Sequence, residues 1–114
     1  MTDSEIENEI VAKDKTAPRV TPDHIQSVIS EETYFTAADG VKGKGGQVAH
    51  NSHLQALTFC VLTLKNGFTV TGESACASLE NFDAEIGRKI ARDNAVNKIW
   101  MLEGYLLRQR LSEQ

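Results

Sequence analysis

At 114 residues the chain suits one domain, and its net charge of −4 is far from the strongly basic balance of a general nucleic-acid binder. No apolar run approaches the roughly 20 residues of a membrane span. The first residues lack a basic segment followed by an apolar one, so no secretory signal is expected; the two cysteines are then expected to be reduced thiols in the cytosol.

The charge is unevenly spread. Residues 1–33 hold eight acids and three bases, whereas residues 83–111 hold six bases and four acids. Met1 to Ala17 is polar and acidic, and is expected to be a disordered tail (1–17) ahead of a single domain over 18–114. A core this small is marginal, and oligomerisation is one common remedy.

Thr21-Pro22-Asp23 reads as a helix start, with Thr21 as cap, Pro22 at the first helical position and Asp23 near the positive helix end. Ile25, Val28 and Ile29 follow at helical spacing and predict a short helix to about Glu32. Tyr34 to Ala37 reads as a short strand or an extended entry. Four glycines between Gly40 and Gly46 then predict a flexible loop over 39–53.

Leu54 to Leu64 reads as a strand with two apolar faces, which predicts cover on both sides. Asn66-Gly67 predicts a tight hairpin turn with positive φ at both central positions, and Phe68 to Gly72 is the return strand. After a small-residue connector, with Ser78 or Asn81 as cap, a long helix begins near Phe82. Its apolar stripe runs Ile86, Ile90, Ala91, Ala95, Ile99, Leu102, Leu106, flanked by Val96, Trp100, Leu107 and Leu111. A hairpin cannot cover so long a rod, so Trp100, Leu106, Leu107 and Leu111 are the candidate interface with another element or subunit. Gly87 and Gly104 inside the helix ask for close backbone approach, or for a break near Gly104. The fold class is α+β: a short N-terminal helix, a β-hairpin or small antiparallel sheet, and a long C-terminal helix packed on it.

Catalytic patterns fare poorly. Gly40 and Gly45 have phosphate-loop spacing, but Gly46-Gln47 stands where Lys-Ser/Thr is needed and no helix is expected to follow. Gly72-Glu73-Ser74 sits between strand and helix like a nucleophile elbow, but the second glycine is missing. His50, His53, Cys60 and Cys76 lack a paired Cys-x-x-Cys knuckle, so no metal is expected. Arg88 and Arg92, four apart on one helix face, are better placed to bind than to react. With Lys89, the strand residues Thr69 and Thr71, the connector residue Ser74, and the loop residues Lys42 and Lys44, they form a candidate site for a small anionic ligand. Asp83, Glu85 and Asp93 are near enough in sequence to pair with those cations and leave only a solvated face.

Several words in the chain then stand out together. They are Leu64 to Cys76, Glu80-Asn81-Phe82-Asp83-Ala84-Glu85-Ile86-Gly87, Asn94-Ala95, Trp100-Met101-Leu102-Glu103-Gly104-Tyr105 and the upstream Val20-Thr21-Pro22-Asp23-His24-Ile25. In these words the chain resembles a family of small tailed-phage proteins with members from coliphage N-four and Shigella phage S-f-six. The resemblance covers most of residues 18–108. It implies a phage-encoded protein made in the host bacterial cytoplasm. It implies no reaction, so no catalytic residue carries over.

The expectation is therefore a non-enzymatic phage accessory protein without a cofactor. It would form a homo-oligomer and bind a host protein or a small anionic ligand, a nucleotide signal among them, in host takeover or counter-defence. A nucleic-acid-associated role through the basic helix face and a structural or assembly role are the alternatives.

Overall fold

The computed structural model describes residues 2–15 and 17–114. Seven elements follow in order: α1 (Asp3–Ala12), α2 (Pro22–Ser27), β1 (Ile29–Thr36), α3 (Ala37–Gly43), β2 (Leu57–Leu64), β3 (Thr69–Ala75) and α4 (Ala84–Ser112). Short 3-10 turns stand at His53–Ala56 and Leu79–Asn81. The strands form one antiparallel sheet in the order β1-β2-β3, and α4 crosses it. This is the expected α+β architecture, with one strand more than a hairpin.

Two segments expected to lack structure are helical. Asp3–Ala12 lies in the expected tail, yet Thr2 and Glu5 close a reciprocal capping box and Lys13 pairs with Glu9 at 2.9 Å. Ala37–Gly43 lies across the expected glycine loop. There Thr36 and Asp39 form a second capping box, and Ala38 is buried. Gly45, at φ +90°, ends α3 by donating to Lys42 O, while Gly46 donates to Val41 O. That pair of bonds is a Schellman ending, which needs a residue in the left-handed region and explains the glycine there. The loop that remains is residues 44–52.

The hairpin turn also differs from expectation. Only Gly67 has positive φ (89°); Asn66 does not. Leu64 faces Phe68 across a three-residue loop, with Gly67 donating to Leu64 O at 2.8 Å. This is a type I turn closed by a left-handed glycine, and Asn66 contributes by accepting from Phe68 N.

Helix α2 is shorter than expected. Glu31 and Glu32 belong to β1, whose pairing with β2 continues to Ile29 through a register shift between Ile29 and Glu31. Along β2 burial alternates strictly: Thr58, Cys60, Leu62 and Leu64 are buried, while Leu57, Phe59, Val61 and Thr63 are half-exposed. So α4 covers one face only, contrary to the two-sided cover expected. The open face keeps a stacked Phe35–Phe59 pair with centroids 5.5 Å apart.

The core joins Ile25 of α2 with Cys60, Leu62 and Leu64 of β2, Val70 of β3, and Ala91, Ala95, Val96 and Ile99 of α4. Helix α4 starts two residues later than expected, because Asp83 rather than Ser78 or Asn81 is its cap, accepting from Glu85 N and Ile86 N. Gly72 lets the helix press onto β3, and Gly87 sits over Thr58. Gly104 meets nothing within 4 Å, and the helix runs through it unbroken. At 1.5 Å per residue α4 spans about 43 Å against about 27 Å for an eight-residue strand, so its last turns overrun the sheet.

Candidate functional site: a cleft at Arg88

The eight residues expected to form an anion site do not converge. Lys89 is exposed and pairs along the helix with Glu85 at 3.3 Å. Thr69 and Thr71 alternate with buried Val70 and Gly72 and are exposed on β3, where Lys98 Nζ comes to 3.5 Å of Thr71 Oγ1. Ser74 is opposite Thr58 in register and lines a separate cleft with Cys76, Ile86 and Ile90. Lys42 is in the last turn of α3 and Lys44 is its C-terminal cap.

Arg92 is already occupied. Its Nε donates to Glu32 Oε1 at 2.9 Å and its Nη2 donates to Gln26 Oε1 at 2.6 Å. Tyr34 Oη donates to the same Glu32 oxygen at 2.7 Å. Glu32 and Tyr34 are two apart on β1 and so share the face that meets α4. The network joins α2, β1 and α4. Arg92 and Tyr34 hold the Glu32 carboxyl below its usual pKa, and the Glu32 bond raises that of Arg92. Burial, followed by the bond to Glu32, raises the Tyr34 hydroxyl. The partner of Arg92 is therefore a strand residue far away in sequence, not the neighbouring acids Asp83, Glu85 or Asp93.

Arg88 differs. It makes no ion pair with any described residue. One turn before Arg92, it lines a cleft of about 130 Å³ with Tyr34, Phe35, Thr36, Asp39, Thr58 and Phe82. Three local features build this cleft. The Thr36–Asp39 capping box turns the chain sharply from β1 into α3 and fixes the Asp39 carboxylate. Bonds from Thr36, the backbone N–H first, lower the pKa of that carboxyl. The Asp83 cap starts α4 directly after Phe82. Gly87 leaves room above Thr58, whose Oγ1 would lie 3.0 Å from a Cβ at that position.

Thr58 carries the main observation. The residue is 3% exposed, and its Oγ1 is buried without a hydrogen-bond partner among the described residues. An unpaired buried hydroxyl costs stability and calls for a reason. Thr58, Asp39, Tyr34 and Phe82 escaped the sequence reading as site residues. Capping-box spacing from Thr36 to Asp39 was the one usable signal, since the rest depends on sheet register.

The cysteine and histidine candidates are scattered. Cys60 is in the core, where burial raises its thiol pKa, and Cys76 Sγ donates to Ser78 O. Among the described residues no three His, Cys, Asp or Glu gather into a metal-holding group. No helix among them is long and apolar enough to cross a membrane.

The model of the phage protein (N4 Gp49/phage Sf6 gene 66) family matches residues 20–111. The chain belongs to this family. The match runs from just before α2 almost to the end of α4, so the whole sheet and the Arg88 cleft lie within the matched segment, while α1 lies outside it. No curated protein and no solved structure matches the chain.

Of the candidate interface residues, Trp100 is half-buried and its Nε1 donates to Asp3 Oδ2 of α1 at 3.0 Å. Leu106 is exposed at 38%, and Leu107 and Leu111 are half-exposed. More exposed than any of these are Met101 and Tyr105, at 74% and 75%.

Proposed function

We propose that this phage protein acts by binding, and that its ligand is a small anionic molecule placed in the Arg88 cleft. The carrying observation is an unpaired Arg88 guanidinium lining one cleft with Asp39, Tyr34, Phe82 and Thr58, a residue whose buried hydroxyl has no partner among the described residues. A guanidinium offers two parallel donors to a phosphate or carboxylate. Asp39 offers an acceptor to a ligand hydroxyl or amine, and Phe82 and Tyr34 offer ring faces. An anion, a donor and a flat ring together describe a nucleotide. At about 130 Å³ the cleft takes one group of such a ligand, with the remainder lying along its rim. In an infected host, capture of a nucleotide signal would serve host takeover or counter-defence.

The test is purification from bacteria, mass spectrometry of co-purifying small molecules, and thermal shift against linear and cyclic nucleotides. Binding that weakens on Arg88→Ala supports the reading. A clean protein that no nucleotide stabilises removes it.

A second reading concerns partners. The overrun of α4 past the sheet, with Met101 and Tyr105 largely exposed, supports association through the last turns of the helix. We infer a homo-oligomer, and sedimentation across a concentration series would test it.

A further inference from the structure

Strand β3 is an edge of the sheet, and its outer side is open beside α4. Leu64 N donates to Phe68 O at one end of the β2–β3 ladder, and Cys76 N donates to Ala56 O at the other. Bonded pairs alternate along an antiparallel ladder. Val70, Gly72 and Ser74 therefore turn their backbone groups to β2, and Thr69, Thr71 and Glu73 turn theirs outward. Asn94 Nδ2 takes the Glu73 carbonyl at 2.8 Å. The N–H and C=O groups of Thr69 and Thr71 have no backbone partner among the described residues.

Along this open stretch runs a groove of about 300 Å³, walled by Phe68 and Val70 on one side and by Lys98, Met101 and Leu102 on the other. Those three helix residues share one face of α4. The bed is apolar and uncovered, with Phe68 56% and Met101 74% exposed. Lys98 makes no ion pair with any described residue; its Nζ comes to 3.5 Å of Thr71 Oγ1.

A free row of backbone donors and acceptors recognises main chain in the extended form. Alternate side chains of such a chain fall on one face, so an apolar bed on that face takes every second residue. An unpaired ammonium beside the bed asks for a carboxylate. A second copy entering edge to edge would bring its own α4 seated over its own β3. Neighbouring strands lie about 4.8 Å apart, whereas packed helices need about 8–10 Å, so the two helices would collide. The edge admits a thin chain.

We propose that this groove binds an extended segment of another protein, which adds to β3 as a further strand. Its apolar side chains, at alternate positions, turn towards Phe68, Met101 and Leu102, and an acidic one turns towards Lys98.

A displayed library of random heptapeptides is panned against the full chain. A selected peptide is then synthesised and followed by fluorescence anisotropy and amide hydrogen exchange. Expected are sequences with apolar residues at every second position and an acid in step with them, and slowed exchange at the Thr69 and Thr71 amides on binding. Thr71→Pro removes one outward donor and leaves the ladder to β2 intact, so affinity should fall about tenfold. Lys98→Glu, which sets two negative charges together, should weaken binding as well. Should Thr71→Pro fail to fold, Lys98→Glu and the exchange pattern decide. A library that yields no binder, a binder that protects other amides instead, or binding that either folded variant leaves unchanged overturns the proposal. Exchange at Thr69 and Thr71 that slows as the protein alone is concentrated gives the edge to a second copy. That result overturns the peptide and supports the homo-oligomer reading above.

Discussion

Gly72 of β3 lies directly beneath Ala91 of α4: a Cβ built on the glycine would stand 2.2 Å from the Ala91 carbonyl oxygen and 2.3 Å from Ala95 N. Both neighbours are helix backbone and cannot swing aside. Asn94 secures the same crossing by donating to Glu73 O at 2.8 Å. Gly72→Ala must therefore lift the helix from the sheet, at a cost of about 3 kcal/mol or more. Urea unfolding followed by circular dichroism checks this. A cost below about 1 kcal/mol would mean that α4 does not cross β3 at this point.

Thr58→Val should move stability the other way. It replaces a buried, unpartnered hydroxyl with a methyl group of similar shape, and a gain of about 1 kcal/mol is expected. If the hydroxyl serves a ligand, the same variant loses part of the ligand-induced thermal shift. Gain in stability with loss of binding is the signature of a group kept for function.

Arg88→Ala should leave the fold within about 0.5 kcal/mol of the parent, since Arg88 pairs with no described residue. Arg92→Ala should be more damaging, because it frees Glu32 and Gln26 at the junction of α2, β1 and α4. Paired denaturation curves separate the two. Equal losses would undo the distinction between a free and an occupied arginine.

The Glu32–Arg92 pair sets a pH dependence. Arg92 holds the Glu32 carboxyl below its ordinary 4.5. A carboxyl depressed in the folded state adds stability above its unfolded pKa and loses it as the pH falls through the folded value. With Glu32 37% and Arg92 27% exposed, the contribution at pH 7 is discounted to about 0.5 kcal/mol. Glu32→Gln should cost that amount at neutral pH, and the gap should close as the pH falls below 4.5. A gap that stays constant into acid would assign the loss to packing instead.

Gly45→Ala should cost about 1 kcal/mol, because φ +90° is unfavourable for a residue with a Cβ. Hydrogen exchange should localise the loss to residues 37–46. Protection unchanged there would contradict the Schellman ending of α3.

The run of helical spacing from Ile86 to Leu111 determined that α4 is a helix but not which face it buries: of the expected stripe Ala91, Ala95 and Ile99 are buried, with Gly87 and Val96 beside them, whereas Ile86, Ile90, Leu102 and Leu106 are exposed. Asn66-Gly67 determined a turn, and Thr21-Pro22 determined a helix start, because each acts on its own backbone. The helix at Ala37–Gly43 was missed because four glycines outweighed a capping box in plain view at Thr36 and Asp39. The site was legible only in part. Arg88 and Arg92 share a helix face and read alike, but β1 brings Glu32 to one and leaves the other free. That choice depends on strand register, which places Glu32 opposite Leu62 and Tyr34 opposite Cys60. Register is set by which face of the whole sheet the helix buries, a long-range condition that no short window of sequence contains. The buried hydroxyl of Thr58 follows from the same condition: the sequence supplied a threonine in a strand, and only the placement of Gly87 above it left that hydroxyl enclosed and unpaired.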